Sequence, residues 1–441
     1  MSLVWGGLSQ KTNIIVLSPE EEMESTFSGD IDQQWTFNQA VTKDNKTDNY
    51  KLNGFVTNPE GKIYLLKEVA FKKIPKSIAF HANDSIYSCV VLHDNQISMI
   101  DYQLDAGTAK RKKISNLDSG FQMFRDDQST VMVSYNRRKR RIQVVQLKST
   151  SGVSTYNVVI PERQADEIQD IFSSQPSIII PSMTYIEGNS ANERKAYLYQ
   201  NKLVYTLDDK KEARTRILTI DLTEDKPKLD LREQQAGVIA SVDDFNSYVL
   251  ANQLYQFQVS EDDFKITVTN LEDNSITKEI RLNDLKDNIE YFKRAQVLAE
   301  NASRSKYAPT IAVNAGVDGS SILVLNYIDP TSMANNYNYS MSFFNLDPYN
   351  NVVTPIRNNQ KKKFDYAQPY PVTITIDPDN VLLNNTNATP VYDKLPRKYI
   401  RELLLDNDKY EKVSVGFTSQ FYSFIYFDDE EQSIKLVVEP L

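Results

Sequence analysis

The sequence predicts an all-β chain assembled from one strand–turn–strand unit repeated along its length. Three observations predict it. In FKITVTNLEDNSITKEIRL (264–282), apolar and β-branched residues alternate with polar ones as far as Leu271. Turn formers occupy Glu272–Ser275, and the alternation resumes at Ile276. The first strand of that hairpin recurs, as ISMIDY from Ile97, IQVVQL from Ile142, ILTIDL from Ile217, ITVTNL from Ile266 and MSFFNL from Met341. Each copy ends in a polar residue followed by an apolar one, and each is followed by a polar turn. Aromatic residues make up 10% of the chain, with 25 Tyr and 19 Phe, a bias that favours strands.

The copies start 45, 75, 49 and 75 residues apart. The two shorter spacings fit one four-stranded blade of roughly 40–50 residues. Each longer spacing contains a helical pattern: QADEIQDIFSS (164–174) in the first and LKDNIEYFKRAQVLAENASRSKY (285–307) in the second. Strand signals precede several copies, as in SIYSCVVLHDNQ, STVMVSYNRRKRR and SYVLANQLYQFQV, so the unit is a meander. GKIYLLKEVAF (61–71) reads as a further, less regular copy. FYSFIYFDDEEQSIKLVVEPL (421–441) reads as a terminal hairpin able to pair with TNIIVLS (12–18), which would close a ring and remove its exposed edges. A helix is expected at 395–410, opening with Pro396 where helices accept proline. The Asn-rich stretches 329–340 and 377–390 read as surface loops.

The segments ISMIDYQLDAG, ILTIDLTEDKP and ITVTNLEDNSI resemble the third strand and following turn of β-propeller blades. The resemblance extends over most of the chain and implies a single propeller domain, 1–441, of about six to eight four-stranded blades with a few helical insertions. The Trp-Asp and Gly-His signatures of the WD40 type are missing, and thirteen glycines are few for so many turns. The resemblance is to a fold and brings no functional residues with it. Two β-sandwich or barrel domains are the alternative architecture.

The chain has 441 residues, 25% of them charged, and a formal net charge of −9, which argues against a generic nucleic-acid binder. Cys89 is the sole cysteine, so neither an intramolecular disulfide nor a thiolate metal cluster is available. Its setting in SIYSCVVL reads as a small buried hydrophobe. No apolar run is long enough for a spanning helix. The opening MSLVWGGLSQ is too short and uncharged for a whole signal peptide. It is read as the start of a chain whose export signal has been removed, giving a bacterial periplasm or cell envelope as the expected compartment and the cytoplasm as the alternative.

Chemistry is sparse. His81 and His93 are the only histidines, both at strand ends, and both read as satisfied surface residues. Nucleophile elbows, zinc-helix motifs and phosphate-cradling loops are absent from the sequence. TIDPDNVLLNN (375–385) gathers Asp377, Asp379 and Asn380 but lacks the full calcium-loop pattern, and reads as a capped turn. No catalytic residue, metal ligand or cofactor is therefore assigned, although a pair of loop carboxylates would suffice for carbohydrate cleavage.

The most distinctive local feature is basic. KRKK places Lys110, Arg111, Lys112 and Lys113 in one unit, and RRKRR places Arg137, Arg138, Lys139, Arg140 and Arg141 in the next. The bland reading is charge that protects a sheet edge. The functional reading is a docking surface for an anionic partner. Without interleaved aromatics to stack bases, nucleic acid is the least fitting of these. The expected function is a non-enzymatic binding or scaffold propeller for a protein, peptide or glycan, with a carbohydrate-active hydrolase or lyase as the alternative.

Overall fold

The computed structural model describes residues 11–440 apart from 32–33, 83–84, 95, 117–120, 126–128, 149–152, 180–189, 225, 238–240, 317, 329–343, 348–351, 356–371, 380–381, 384–410 and 419. The described strands form seven sheets in chain order. After β1 (Lys11–Val16), blade 1 is built from β2 (Glu21–Ile31), β3 (Trp35–Asp44), β4 (Asn49–Thr57) and β5 (Ile63–Phe71). Blade 2 holds β6 (Lys76–Ala82), β7 (Ile86–His93), β8 (Gln96–Gln103) and β9 (Thr108–Asn116). Blade 3 holds β10 (Gln122–Arg125), β11 (Ser129–Asn136), β12 (Arg141–Lys148) and β13 (Val153–Val159).

Blade 4 gains a fifth strand. The short β14 (Ser177–Ile179) lies parallel to β15 (Arg194–Tyr199), which continues into β16 (Lys202–Asp209), β17 (Arg214–Asp221) and β18 (Lys228–Gln235). Blade 5 is β19 (Asp244–Leu250), β20 (Gln253–Val259), β21 (Phe264–Asn270) and β22 (Ile276–Arg281). Blade 6 is β23 (Ala308–Ala315) and β24 (Ser321–Ile328), joined after an insertion by β27 (Val372–Ile376) and β28 (Leu382–Leu383). The insertion carries the hairpin β25 (Phe344–Asp347) and β26 (Val352–Pro355), which adds to blade 7 beside β29 (Glu411–Phe417). Blade 7 continues through β30 (Phe421–Asp428) and β31 (Ser433–Pro440).

The outer strand of blade 7 comes from the other end of the chain. β1 pairs antiparallel with β31 from Lys11↔Val438 to Val16↔Ser433. Blade 7 also meets blade 1: Thr26 Oγ1 lies 2.9 Å from Ser414 Oγ, and Asn38 Nδ2 donates to Ser423 Oγ at 2.8 Å. Seven sheets in sequence, with the last packed on the first and completed by the first strand, make a seven-bladed β-propeller.

Burial follows from this geometry. Middle strands are sandwiched between neighbouring blades, so β20 is buried along nearly its whole length. Outer strands such as β18, KLDLREQQ, stay partly wet and carry the charge. Blades 1 and 2 meet at Phe37 and Phe80, stacked with centroids 3.6 Å apart. Blades 2 and 3 share Val90, Met132 and Val145. Between blades 4 and 5, Tyr197 and Tyr248 pack edge to face at 5.7 Å. Such aromatic pairs add about 0.5–1.5 kcal/mol beyond the area they bury.

Both described helices lie where the sequence places them. A 3-10 turn and α1 (Ala165–Ile171) bury Ile168 and Ile171 against blades 3 and 4. α2 (Ile289–Ala302) buries Ala295, Leu298, Ala299 and Ala302 against blades 5 and 6, capped by Asn288 Oδ1 accepting from Tyr291 N–H. The helix expected at 395–410 falls outside the described residues.

Two expectations are corrected. MSFFNL is not the third strand of a blade: its described part starts β25, in the inserted hairpin, and the third strand of blade 6 is VTITI, β27. GKIYLLKEVAF is not a separate copy, because it forms β5, the outer strand of blade 1.

Candidate anion-docking surface

The two basic runs occupy different parts of neighbouring blades. Lys110–Lys113 lie within β9, the outer strand of blade 2, and all four are exposed. Register separates them by face. Lys112 pairs with Met99, which packs toward blade 3, whereas Arg111 pairs with Ile100, which packs toward blade 1. Side chains alternate across a strand, so Lys110 and Lys112 project on the blade 3 side and Arg111 and Lys113 on the blade 1 side.

Arg137–Arg140 form the turn between β11 and β12 of blade 3, and all four are exposed. Asn136 Oδ1 accepts from Lys139 N–H at 3.0 Å, and Arg140 turns the chain at φ 45°. Arg141 is half-buried at the base of the turn, opposite Asn136. In a four-stranded meander the second turn and the link to the next blade emerge on one rim. Residues 137–140 therefore share a rim with the β7–β8 turn and with residues 72–75, which lead from β5 to β6.

Two of the eight exposed cations are engaged among the described residues. Arg140 pairs with Glu162 at 2.9 Å. Arg111 stacks 4.4 Å over the Phe71 ring, donates to Ala70 O at 3.4 Å and reaches His93 Nε2 at 2.5 Å, so it ties blade 2 to the end of β5. Lys110, Lys112, Lys113, Arg137, Arg138 and Lys139 have no carboxylate within 4 Å among the described residues.

Several cations elsewhere are neutralised. Lys51 sits among Glu21, Asp44 and Glu68 at 2.7, 3.7 and 3.5 Å. Lys435 lies 2.7 Å from both Asp428 and Glu431, which raises its pKa. Arg214 meets Asp209, Glu212 and Glu233.

Arrangements that could be mistaken for catalytic ones are structural. His93 Nε2 lies 3.1 Å from Ser98 Oγ, but Ser98 is buried and the same ring nitrogen faces Arg111. Burial, and then the Arg111 charge, hold the imidazole pKa below its ordinary value. His93 is thus a buried, bonded residue and not the surface histidine its position suggested. Lys195 and Asp208 form an ion pair at 2.9 Å with both side chains fully buried. Asp208 also accepts from Thr215 Oγ1 at 3.0 Å, Ser247 N–H at 3.0 Å and Ser247 Oγ at 2.6 Å, joining blades 4 and 5. Desolvation lowers the Lys195 pKa, but no solvent path reaches the group. Cys89 is fully buried with its thiol pKa pushed up to about 12, the profile of a packing residue. Among the described residues no group of His, Cys, Asp and Glu side chains is placed to hold a metal ion, and no helix is long and apolar enough to cross a membrane.

No protein-family model matches the chain, and no curated protein matches it. Similar solved structures include a prolyl endopeptidase (10% identity over 94% of this chain and 47% of that one, TM-score 0.33). Prolyl oligopeptidase B from Galerina marginata is another, at 10% identity over 93% and 47%, TM-score 0.32. An apocarotenoid oxygenase from Synechocystis gives 9% identity over 60% and 62%, TM-score 0.27. The chain spans about half the length of the two peptidases, as their 47% coverage states. The fold assignment rests on the seven sheets and their closure.

Proposed function

We propose that the chain is a non-enzymatic binding propeller, a rigid scaffold in a bacterial cell envelope that docks an anionic protein, peptide or glycan on blades 2 and 3. One observation carries the reading. In a chain of net charge −9, six exposed cations drawn from two short basic runs lie on adjacent blades with no carboxylate partner among the described residues. Edge protection accounts for lysines on the outer strand β9 but not for arginines in the β11–β12 turn. Uncompensated charge on a stiff ring concentrates an anionic partner and speeds its capture, an effect that salt weakens.

The test is retention on an immobilised acidic polysaccharide across a salt gradient, with soluble-sugar release measured in parallel. The wild type is expected to elute at higher salt than a variant carrying Arg137→Glu, Arg138→Glu and Lys139→Glu, with no sugar released. Elution of both at the same salt overturns the docking reading. Sugar release replaces it with a carbohydrate-active hydrolase or lyase. Fractionation of the producing cells tests the compartment, and recovery with the cytosol overturns the envelope assignment.

A further inference from the structure

The basic surface continues onto blade 1 through residues far away in sequence. The link from β5 to β6 begins Lys72-Lys73-Ile74, all exposed, directly after the Phe71 ring that Arg111 covers at 4.4 Å. Neither lysine has a carboxylate within 4 Å among the described residues. These residues share a rim with Arg137–Lys139, and Lys113 lies between them on the blade 1 side of β9. Blades 1, 2 and 3 thus each contribute cations with no carboxylate partner among the described residues. Asp94 is exposed in the β7–β8 turn on the same rim.

We propose that Lys72 and Lys73 are the far end of one binding track, and that its ligand is an extended acidic polysaccharide crossing blades 1 to 3. This rests on the docking function proposed above. Three features select the ligand. The cations are strung across three blades instead of converging, which suits charges spaced along a chain better than one compact anion. Packed sheets stand about 10 Å apart, so the outer two of three blades are separated by roughly 20 Å, a distance only a polymer bridges. The segments that carry the track, Lys72–Ile74, Lys110–Lys113 and Arg137–Arg140, contain no aromatic residue interleaved with the charges for a nucleic-acid base to stack on.

The experiment measures affinity for long-chain polygalacturonate and for digalacturonate at several salt concentrations. Variants are Lys72→Glu with Lys73→Glu, the charge-neutral Lys72→Gln with Lys73→Gln, and the blade 3 triple reversal. Circular dichroism confirms that each is folded. The expected result is long-chain binding weakened on the order of tenfold by the Lys72/Lys73 reversal, less by the glutamines, with a shallower salt dependence in both. Digalacturonate, too short to span the track, should not respond to Lys72 and Lys73. Unchanged long-chain affinity in the Lys72/Lys73 variants, with a loss in the triple reversal, overturns the three-blade track and leaves the docking function standing. Unchanged affinity in every variant overturns both. Tighter, equally residue-dependent binding of linear polyphosphate overturns the choice of a polysaccharide.

Discussion

The Arg111 guanidinium lies 2.5 Å from His93 Nε2, and both pack against Phe71, the last residue of the neighbouring blade's outer strand. An arginine can only donate, so Nε2 must accept and the neutral ring carries its proton on Nδ1. Protonating His93 would set two positive charges in contact in a half-closed site, with Asp94 as the one nearby compensation. The contact is therefore sensitive to acid.

His93 is depressed from its ordinary pKa of 6.5. As pH falls below about 6.5, the unfolded chain takes up a proton that the folded chain refuses, so stability falls until the folded-state pKa is passed. Carboxylates add their own pH dependence, so the informative quantity is a difference. Denaturant unfolding of wild type and His93→Gln at pH 7.5 and 5.5 should show a steeper acid loss for the wild type. Equal losses would mean that His93 titrates alike in both states.

The Lys195–Asp208 pair makes a second prediction. Asp208 accepts from four donors with none of its side chain exposed, so its charge is fully bonded. Asp208→Asn leaves the buried Lys195 ammonium without a counter-ion, at a cost of about 3–5 kcal/mol. Ser247→Ala removes the side-chain donor but keeps the backbone N–H, and should cost about 1–2 kcal/mol. Unfolding midpoints of the two variants would check the order; a larger loss in Ser247→Ala would refute this account of how blades 4 and 5 are joined.

The repeat was legible because of where its strands end. Asp221 Oδ1 accepts from Thr223 N–H at 2.9 Å and Asn270 Oδ1 from Glu272 N–H at 2.8 Å, so the polar residue closing the third strand starts the next turn. The apolar residue after it, Leu222 or Leu271, is buried and donates its N–H across to the preceding turn, at Asn201 O or Asn252 O. MSFFNL carries the same pattern without that role, because its Asn345 lies inside an inserted ladder, paired with Thr354. The basic runs were legible as local charge. Lys72 and Lys73 were not, since two lysines at a strand end carry no signal until the ring sets them beside a strand forty residues later. The buried Lys195–Asp208 contact was hidden too, its residues looking like any charged strand ends.

Arg140 separates charge from stability. At φ 45° it occupies the left-handed region, where a side chain costs about 1 kcal/mol that glycine avoids. Its ion pair with Glu162 is exposed and is worth little in return. Arg140→Gly should leave stability unchanged or raise it by up to about 1 kcal/mol, while lowering the salt concentration at which the chain leaves an acidic matrix. A destabilised variant with unchanged retention would assign the arginine to the turn and not to the surface.

Ring closure rests on six residues whose two faces differ. In β1, Ile15 packs against the core shared by blades 7 and 1, while Ile14 is 51% exposed on the opposite face. A charge at the first position must be buried in an apolar seam, and a charge at the second stays in water. Ile15→Asp should therefore lower stability by about 2–3 kcal/mol, and Ile14→Asp should stay within about 0.5 kcal/mol of the wild type. If β1 detaches in the first variant, β31 becomes a bare edge open to pairing between chains. Sedimentation should then show association for Ile15→Asp alone. Equal behaviour of the two variants would mean that β1 contributes no packing to the closure, and that blade 7 is held to blade 1 by the Thr26–Ser414 and Asn38–Ser423 contacts instead.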